Sequence, residues 1–435
     1  MKIRARRIRA GSDDTKDRAG SAGPATDNAK IRAWRMLREL EERLAIEAAG
    51  TFAGYRRGDG RHGIRNHVLV LGLNGLVGRA AARVAESVAG CVLFASPYGR
   101  GQYGADRRAH DAQMIGLAAN PNVAATLLIG ADRRSTDALA KAIASAAAGK
   151  PVATLALDDV QEDALELSAR GVRIAAQLVL DASRLRRETA PLSALFLAVE
   201  CGHSDATSGV VANPLAGRVV DRLVDAGGTA VFGETIEWLG AEHLLARRAA
   251  SAAVGEAIVA AVGRRESRVA ATGVDLTGEN PGAENIRGGL SSIEEKSLGA
   301  IAKGGSRSIA GLLSLAQAPA APGLYVMDAP GFSPESMTGF AAAGATAMLF
   351  TTGAGNSYCS AVAPTIKISG RPGTAAGLPA QIDFDASPVF AGREDLDAAA
   401  DRLFALLLDV CSGTRTWGEI TGEGAESIVR VGESL

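Results

Sequence analysis

Between Glu200 and Pro214 the chain reads ECGHSDATSGVVANP, a thiol, an imidazole, a carboxylate and several hydroxyls in one short loop ahead of a helix. Cys201 and His203 are both competent ligands for a soft or borderline divalent metal, but a stable site needs further donors from elsewhere in the chain. Glu234 and Glu237, in GETIEWLGAEH with His243 close behind, offer carboxylates and an imidazole, and Cys359 in TTGAGNSYCS offers a second thiolate. The same residues also have a plain structural reading. Buried cysteines serve as small apolar side chains, and Glu237 and His243 would then sit on a solvated helix.

Two further stretches are dense in chemistry. NPGAENIRGGLSSIEEKSLGAIAKGG, from Asn280 to Gly305, carries Glu294, Glu295, Lys296 and Lys303 as acid–base groups or anion contacts. Its spacing equally describes a salt-laced surface helix capped by Ser291 or Ser292. GYRRGDGRHGIRNHV, from Gly54 to Val68, holds Arg57, Arg61 and Arg65, whose forked donors suit a carboxylate or phosphate, or a solvated entry loop. Nearby GLNGLVGRA resembles a nucleotide-binding turn but lacks the G-x-G-x-x-G spacing, and no Walker-type GK[ST] occurs, which argues against dinucleotide binding. Ser204 and Ser208 beside His203 and Asp205 suggest a hydrolase. Loop neighbours rarely form a triad, however, and no G-x-S-x-G elbow is present.

These groups need elements to hold them. HVLVLGL, CVLFAS, AATLLIG and PVATLAL alternate with Ala/Leu-rich helical stretches, and after Arg187 the pattern resumes with ALFLAVE, GTAVFGE, GLYVMDA, AMLFTTG and PTIKIS. Strands alternating with helices predict an α/β protein with two parallel-sheet, Rossmann-like lobes, 51–190 and 191–435, with helices on both faces. Open parallel sheets bind ligands beyond the carboxyl ends of their strands. Cys201, Glu234, Asp328, Thr351 and Thr352 all fall just there, on one rim of the second lobe. Ahead of the lobes, residues 1–30 lack large apolar side chains and read as a disordered tail. Residues 31–50 have the spacing of an amphipathic helix.

Composition narrows the class. With 47 Lys+Arg against 48 Asp+Glu the formal charge is −1, too little field to draw the chain onto nucleic acid. No apolar run is long enough to span a bilayer and no signal peptide is evident, so no membrane association and a cytoplasmic location are expected. Four scattered cysteines fit reduced thiols or isolated ligands.

In this order, GYRRGDGRHGIRNHVLVL at 54–71, CGHSDATSGVVANP at 201–214, GTAVFGETIEWLGAEH at 228–243, GGLSSIEEKSLGAIAKGG at 288–305, GLYVMDAPGFSPESMTG at 323–339 and FTTGAGNSYCSAVAPTIKIS at 350–369 resemble the core of the altronate and galactarate dehydratase family, which also contains the sulfolactate sulfo-lyase large subunit. The resemblance implies a metal-assisted elimination, usually with Fe2+, on a small acidic substrate, giving a 2-keto-3-deoxy acid. It points to Cys201, His203, Glu234 and Cys359 near the metal and to Lys296, Glu295, Glu234 and His203 in acid–base roles. The substrate would be held by Arg57, Arg65, Asn66, Ser204, Asp205, Ser208, Asn213, Thr351 and Thr352. Elimination of water is the first expectation; loss of sulfite, or a non-catalytic paralogue that binds a small acid, are the alternatives. The family often carries a Cys after the first strand, one in a PYGC-like segment and one in a GCE-like segment. Gly78, Arg100 and Asp132 stand at or near those places here, and His203 replaces a more usual glycine. The family's small β-rich domain has no counterpart in residues 1–50, so a separate small β-rich subunit is expected as partner, within a homo-oligomer.

Overall fold

The computed structural model describes residues 50–273, 280–432 and 434. The expected tail and most of the expected amphipathic helix lie outside the described residues.

Apolar alternation with Gly-rich turns builds three sheets. β1 (Thr51–Arg56), β2 (His62–Gly63) and β7 (Glu188–Pro191) form a small antiparallel sheet in the order β2-β1-β7. β3 (His67–Gly72), β4 (Cys91–Ala95), β5 (Val123–Gly130) and β6 (Val152–Ala156) make an all-parallel sheet ordered β4-β3-β5-β6. The larger parallel sheet comprises β8 (Phe196–Cys201), β9 (Thr229–Phe232), β10 (Ile309–Ser314), β11 (Gly323–Asp328), β12 (Ala347–Thr351), β13 (Thr365–Ser369) and β14 (Phe384–Asp385). Its order is β10-β11-β9-β8-β12-β13-β14. Strands β3 and β5 are almost wholly buried, as parallel strands covered on both faces must be. The chain is therefore α/β with parallel sheets flanked by helices, as its sequence predicts.

Helices join the two parallel sheets into one apolar core. Met114 and Leu117, on the helix Gly104–Ala119, pack in one cluster with Phe340 and Ala341 of the helix Ser333–Ala343 and with Phe350 of β12. Gly116 permits this approach, because a Cβ there would lie 2.2 Å from the Ala342 carbonyl oxygen. No described helix is long and apolar enough to cross a membrane.

In the larger sheet, β9 lies beside β8 on one side, β10 skips a place to form the edge, and β11 fills the position between β9 and β10. The chain then returns to lay β12, β13 and β14 on the other. The order thus reverses between β8 and β12, where Cys201 stands opposite Thr351. Crevices at such reversals, beyond the carboxyl ends of the strands, are where open α/β sheets bind ligands.

Candidate active site

Glu200 and Cys201 end β8, and the loop after β9 brings Glu234 and Glu237 to the same rim. The helix Ile293–Ile301 delivers Lys296, and the tight turn that follows it delivers Lys303. Lys303 is completely buried, its Nζ donating to Glu200 Oε1 at 2.5 Å, to Glu237 Oε2 at 2.9 Å and to Cys201 Sγ at 3.1 Å. Cys201 Sγ in turn donates to Glu237 Oε2 at 3.2 Å. Ser336 closes the remaining side of Glu200, donating to Oε2 at 2.7 Å. Lys296 Nζ, at the cluster's outer edge, is 3.6 Å from Glu237 Oε1 and donates to Asn280 Oδ1 at 2.7 Å.

The cluster holds its members in different protonation states. Burial alone would raise the Glu237 pKa, but the Lys303 and Lys296 charges, with hydrogen bonds from Lys303 and Cys201, pull it down to about 2. Glu234 moves the other way. Burial, followed by the Glu237 and Glu200 charges, holds its carboxyl well above the usual range, so it is a neutral acid. Burial likewise raises Glu200 against the opposing Lys303 charge, and burial with the Glu237 charge keeps the Cys201 thiol protonated. Burial disfavours the Lys303 ammonium, yet its acidic surroundings outweigh that and hold it charged. Glu234 sits at φ 58°, a left-handed conformation that costs a non-glycine residue roughly 1–3 kcal/mol and recurs where function demands it. Its buried Oε1 has no protein partner. A neutral carboxylic acid with one oxygen unengaged, beside a fixed buried cation, can protonate a leaving group while the cation stabilises developing enolate charge.

The crevice between β8 and β12 lies next to this cluster. Gly202 N donates to Thr351 O at 3.0 Å and Gly353 N to His203 O at 3.2 Å, lacing the two loops together. Asp205 is a scaffold of this region: its Oδ1 accepts from Thr207 Oγ1 at 2.6 Å and from Ser208 N at 3.0 Å. Ser208 Oγ accepts from Asp205 N at 3.1 Å, and Asn285 Nδ2 donates to Ser204 O at 2.8 Å. Asn213 joins the helix Asn213–Asp225 to its surroundings, taking a hydrogen bond from Thr351 Oγ1 and giving one to Gly299 O at 2.9 Å. Thr352 Oγ1 accepts from Gly355 N at 3.1 Å. These five expected substrate contacts, Ser204, Asp205, Ser208, Asn213 and Thr351, are buried and spend their visible hydrogen bonds on the protein.

Other expectations need correction. Arg65 does not await a carboxylate: it makes a paired contact with Glu419 at 2.5 and 2.8 Å and donates to the carbonyls of Ile64, Val410 and Thr414. That uses every N–H of the guanidinium. Arg57 bonds Pro121 O, Asn66 Oδ1 and Arg65 O, and Asn66 Nδ2 bonds Ala182 O, so both brace the loop before β3. Glu295 is an exposed capping residue, accepting from Ser291 N at 2.8 Å, while Ser292 caps the helix. His203 is exposed and its Nδ1 lies 2.9 Å from Gly355 O, while Cys359 sits against Gly418, in a different setting.

The anticipated metal ligands therefore do not converge. Among the described residues, the one group of three or more His, Cys, Asp or Glu with donor atoms within 4.8 Å of one another is Glu200, Cys201 and Glu237. The Lys303 ammonium already occupies these donors, so a divalent cation would meet a fixed positive charge. The residues present do not fit a metal. Glu237 and Lys303 stand among the sequence's candidate groups, whereas Glu200 does not, and spacing does not show that the three meet. Lys303 lies in the turn beyond the helix Ile293–Ile301, so its partners are set by tertiary packing rather than by local spacing.

Gly78, Arg100 and Asp132, at or near the family's cysteine positions, fall around the other parallel sheet. Gly78 opens the helix Gly78–Ser87, while Arg100 and Asp132 line one cavity beyond the carboxyl ends of its strands.

Comparison with known proteins accords with this geometry. Residues 54–183 match the model for the D-galactarate dehydratase/altronate hydrolase second domain, and residues 192–434 match the D-galactarate/altronate dehydratase C-terminal domain. The chain is 39% identical over 386 residues to the (2R)-sulfolactate sulfo-lyase subunit beta of Chromohalobacter salexigens, covering 88% of this chain and 98% of that one. It is 30% identical over 375 residues to altronate dehydratase of Escherichia coli, covering 84% of this chain and 74% of that one. A third relative, galactarate dehydratase (L-threo-forming) of Escherichia coli, is 34% identical over 254 residues, 58% of this chain and 47% of that one. Two domain models in order, each over its own parallel sheet, and relatives aligned across most of the chain place this protein in the D-galactarate/altronate dehydratase family.

Proposed function

We propose that the chain is the large subunit of a carbon–sulfur lyase that removes sulfite from a small 2-hydroxy-3-sulfonate of the sulfolactate type. The observation that carries this reading is end-to-end correspondence. The alignment takes in 98% of the sulfo-lyase subunit beta but 74% of the altronate dehydratase. Elimination of water from a sugar acid is the second reading, favoured by the altronate and galactarate dehydratase relatives. Both reactions share one chemistry. The proton on the carbon beside the carboxylate leaves, the bond from the next carbon to the leaving group breaks, and the resulting enol tautomerises to a 2-keto acid.

The cluster supplies the parts. Lys296, at the solvent edge and 3.6 Å from Glu237 Oε1, takes the proton on the carbon beside the carboxylate in its neutral amine form and becomes the ammonium that Glu237 then faces. Lys303, whose three N–H groups go to Glu200, Glu237 and Cys201, acts on the developing enolate through its positive field rather than by a hydrogen bond, and Glu234 protonates the leaving group. The substrate approaches from the Lys296 side. A separate small subunit is part of the proposal, because the sulfo-lyase relative is itself a subunit beta.

The test is to incubate the purified chain, with and without a co-expressed small subunit, with (2R)-sulfolactate, altronate and galactarate, following sulfite and 2-keto acid together. Stoichiometric sulfite and 2-keto acid from sulfolactate is the expected result. Keto acid from altronate or galactarate, with none from sulfolactate, would favour the hydro-lyase reading instead.

A further inference from the structure

The smaller parallel sheet carries a cavity that the proposed chemistry does not use. It has a volume of about 360 Å³ and lies beyond the carboxyl ends of β3 and β5, lined by Leu73, Asn74, the segment from Gly99 to Tyr103, Arg107, Asp132, Arg134 and Ser135. This is again a place where strand order reverses. From β3 the chain steps to β4 on one side and to β5 and β6 on the other.

The loop across this opening reads GRGQYG, residues 99–104, a G-x-G-x-x-G run that follows β4 and opens the helix Gly104–Ala119. All three glycines have positive φ, at 106°, 69° and 58°. A Cβ on Gly99 would come within 2.8 Å of Leu73 O, so the loop lies tightly on the end of β3. The 16-residue helix has no side-chain cap at Tyr103, and the one acid of its first turn, Asp106, is committed to the backbone N–H groups of Val431 and Gly432.

The independent observation is Gln102. It lines the cavity, is 4% exposed, and neither its Oε1 nor its Nε2 has a hydrogen-bond partner. Leaving both ends of a buried amide unpaired is costly, and a bound polar ligand would recover that cost. The charge lining the cavity is set by Arg100, Arg107 and Arg134 against Asp132 alone. Asp132 is committed as the cap of the helix Arg133–Ala146, accepting from Ser135 N at 2.8 Å, and Arg107 shares its charge with Asp111 at 2.7 Å. Arg100 and Arg134 are exposed and lie in the field of Asp132, and no side-chain hydrogen bond or ion pair to either is seen among the described residues.

We propose that this cavity is a second ligand site, for a small molecule bearing a tetrahedral oxyanion. The oxyanion sits on the GRGQYG loop and the helix N-terminus, Arg100 and Arg134 close over it, and Gln102 bonds the polar body of the ligand. The cavity suits a phosphate monoester or a small sulfonate and is too small for a dinucleotide. It is independent of the Lys303 cluster and of the reading given to that cluster.

Calorimetric titration of the full chain with inorganic phosphate, methanesulfonate and acetate tests it, beside Arg100→Ala/Arg134→Ala and Gln102→Leu. The exposed arginines can be removed without disturbing the core, so the double variant remains a valid comparison if Gln102→Leu folds poorly. We expect phosphate or methanesulfonate to bind, acetate to bind at least about tenfold more weakly, and the arginine double variant to lose at least about tenfold in affinity. Phosphate alone would name a phosphorylated ligand, and methanesulfonate a sulfonate; either supports the site. No binding of either anion up to about 20 mM, or binding unchanged in the double variant, would overturn it.

Discussion

Lys303 Nζ and Glu200 Oε1 are 2.5 Å apart, with both side chains 1% exposed. A pair so deep gains little net stability over an apolar substitute, but breaking it strands a charge. Lys303→Met should therefore destabilise the fold by about 3–5 kcal/mol, and adding Glu200→Gln should restore part of that loss. Urea denaturation of the two variants checks this. A loss below about 1 kcal/mol in the single variant would mean that the pair is not buried in solution.

The cluster also predicts opposing responses to pH. Glu237 falls from 4.5 unfolded to about 2 folded, so its stabilising contribution is complete above 4.5 and is lost as pH drops toward 2. Glu234 is raised, so the folded state holds the extra proton and its contribution declines as pH rises above 4.5. Glu237→Gln should flatten the acid limb of a stability–pH curve, and Glu234→Gln should flatten the decline at higher pH. Unchanged curves in both would dismiss the assigned protonation states.

Arg65 is a brace rather than a substrate clamp. It ties the loop before β3 to Glu419 and to the carbonyls of Val410 and Thr414. Arg65→Lys keeps the charge but not the fork, so it should cost about 2–4 kcal/mol while leaving the KM for the acid within about twofold in protein that remains folded. A KM raised tenfold or more with stability intact would return Arg65 to the substrate.

Since the Lys303 ammonium occupies the Glu200–Cys201–Glu237 donors, Cys201→Ala should leave metal content unchanged. Elemental analysis of anaerobically purified wild type and variant decides it. Stoichiometric iron in the wild type that disappears in Cys201→Ala would show that the metal displaces Lys303.

Much of this arrangement was legible in the sequence. Runs such as ALFLAVE and AMLFTTG are apolar throughout, as doubly covered parallel strands must be, and they placed Cys201, Glu234 and Thr351 at strand ends on one rim. β10 and β14 were not marked, because IAGLLS is interrupted by Gly311 and β14 is only two residues long. The choice between Lys296 and Lys303 was not legible. Both lie in one short stretch, Lys296 on the helix and Lys303 in the turn after it, and which of them meets buried acids depends on β8 and on the loop after β9, far away in sequence. Arg65 misled for a related reason. Its partner Glu419 is 354 residues on, and spacing carries no information about a donor satisfied from that distance. Glu295 could be read either way, since a capping carboxylate and a catalytic one share the same local pattern.

The central claim is that the Lys303 cluster, with Glu234 as its acid, performs the elimination. The direct measurement is sulfite release from (2R)-sulfolactate by wild type and Glu234→Gln, an isosteric change for a carboxyl that is already neutral. We predict a folded variant whose kcat falls by about 10²–10⁴ with little change in KM. A folded Glu234→Gln protein that turns over at the wild-type rate would contradict the account.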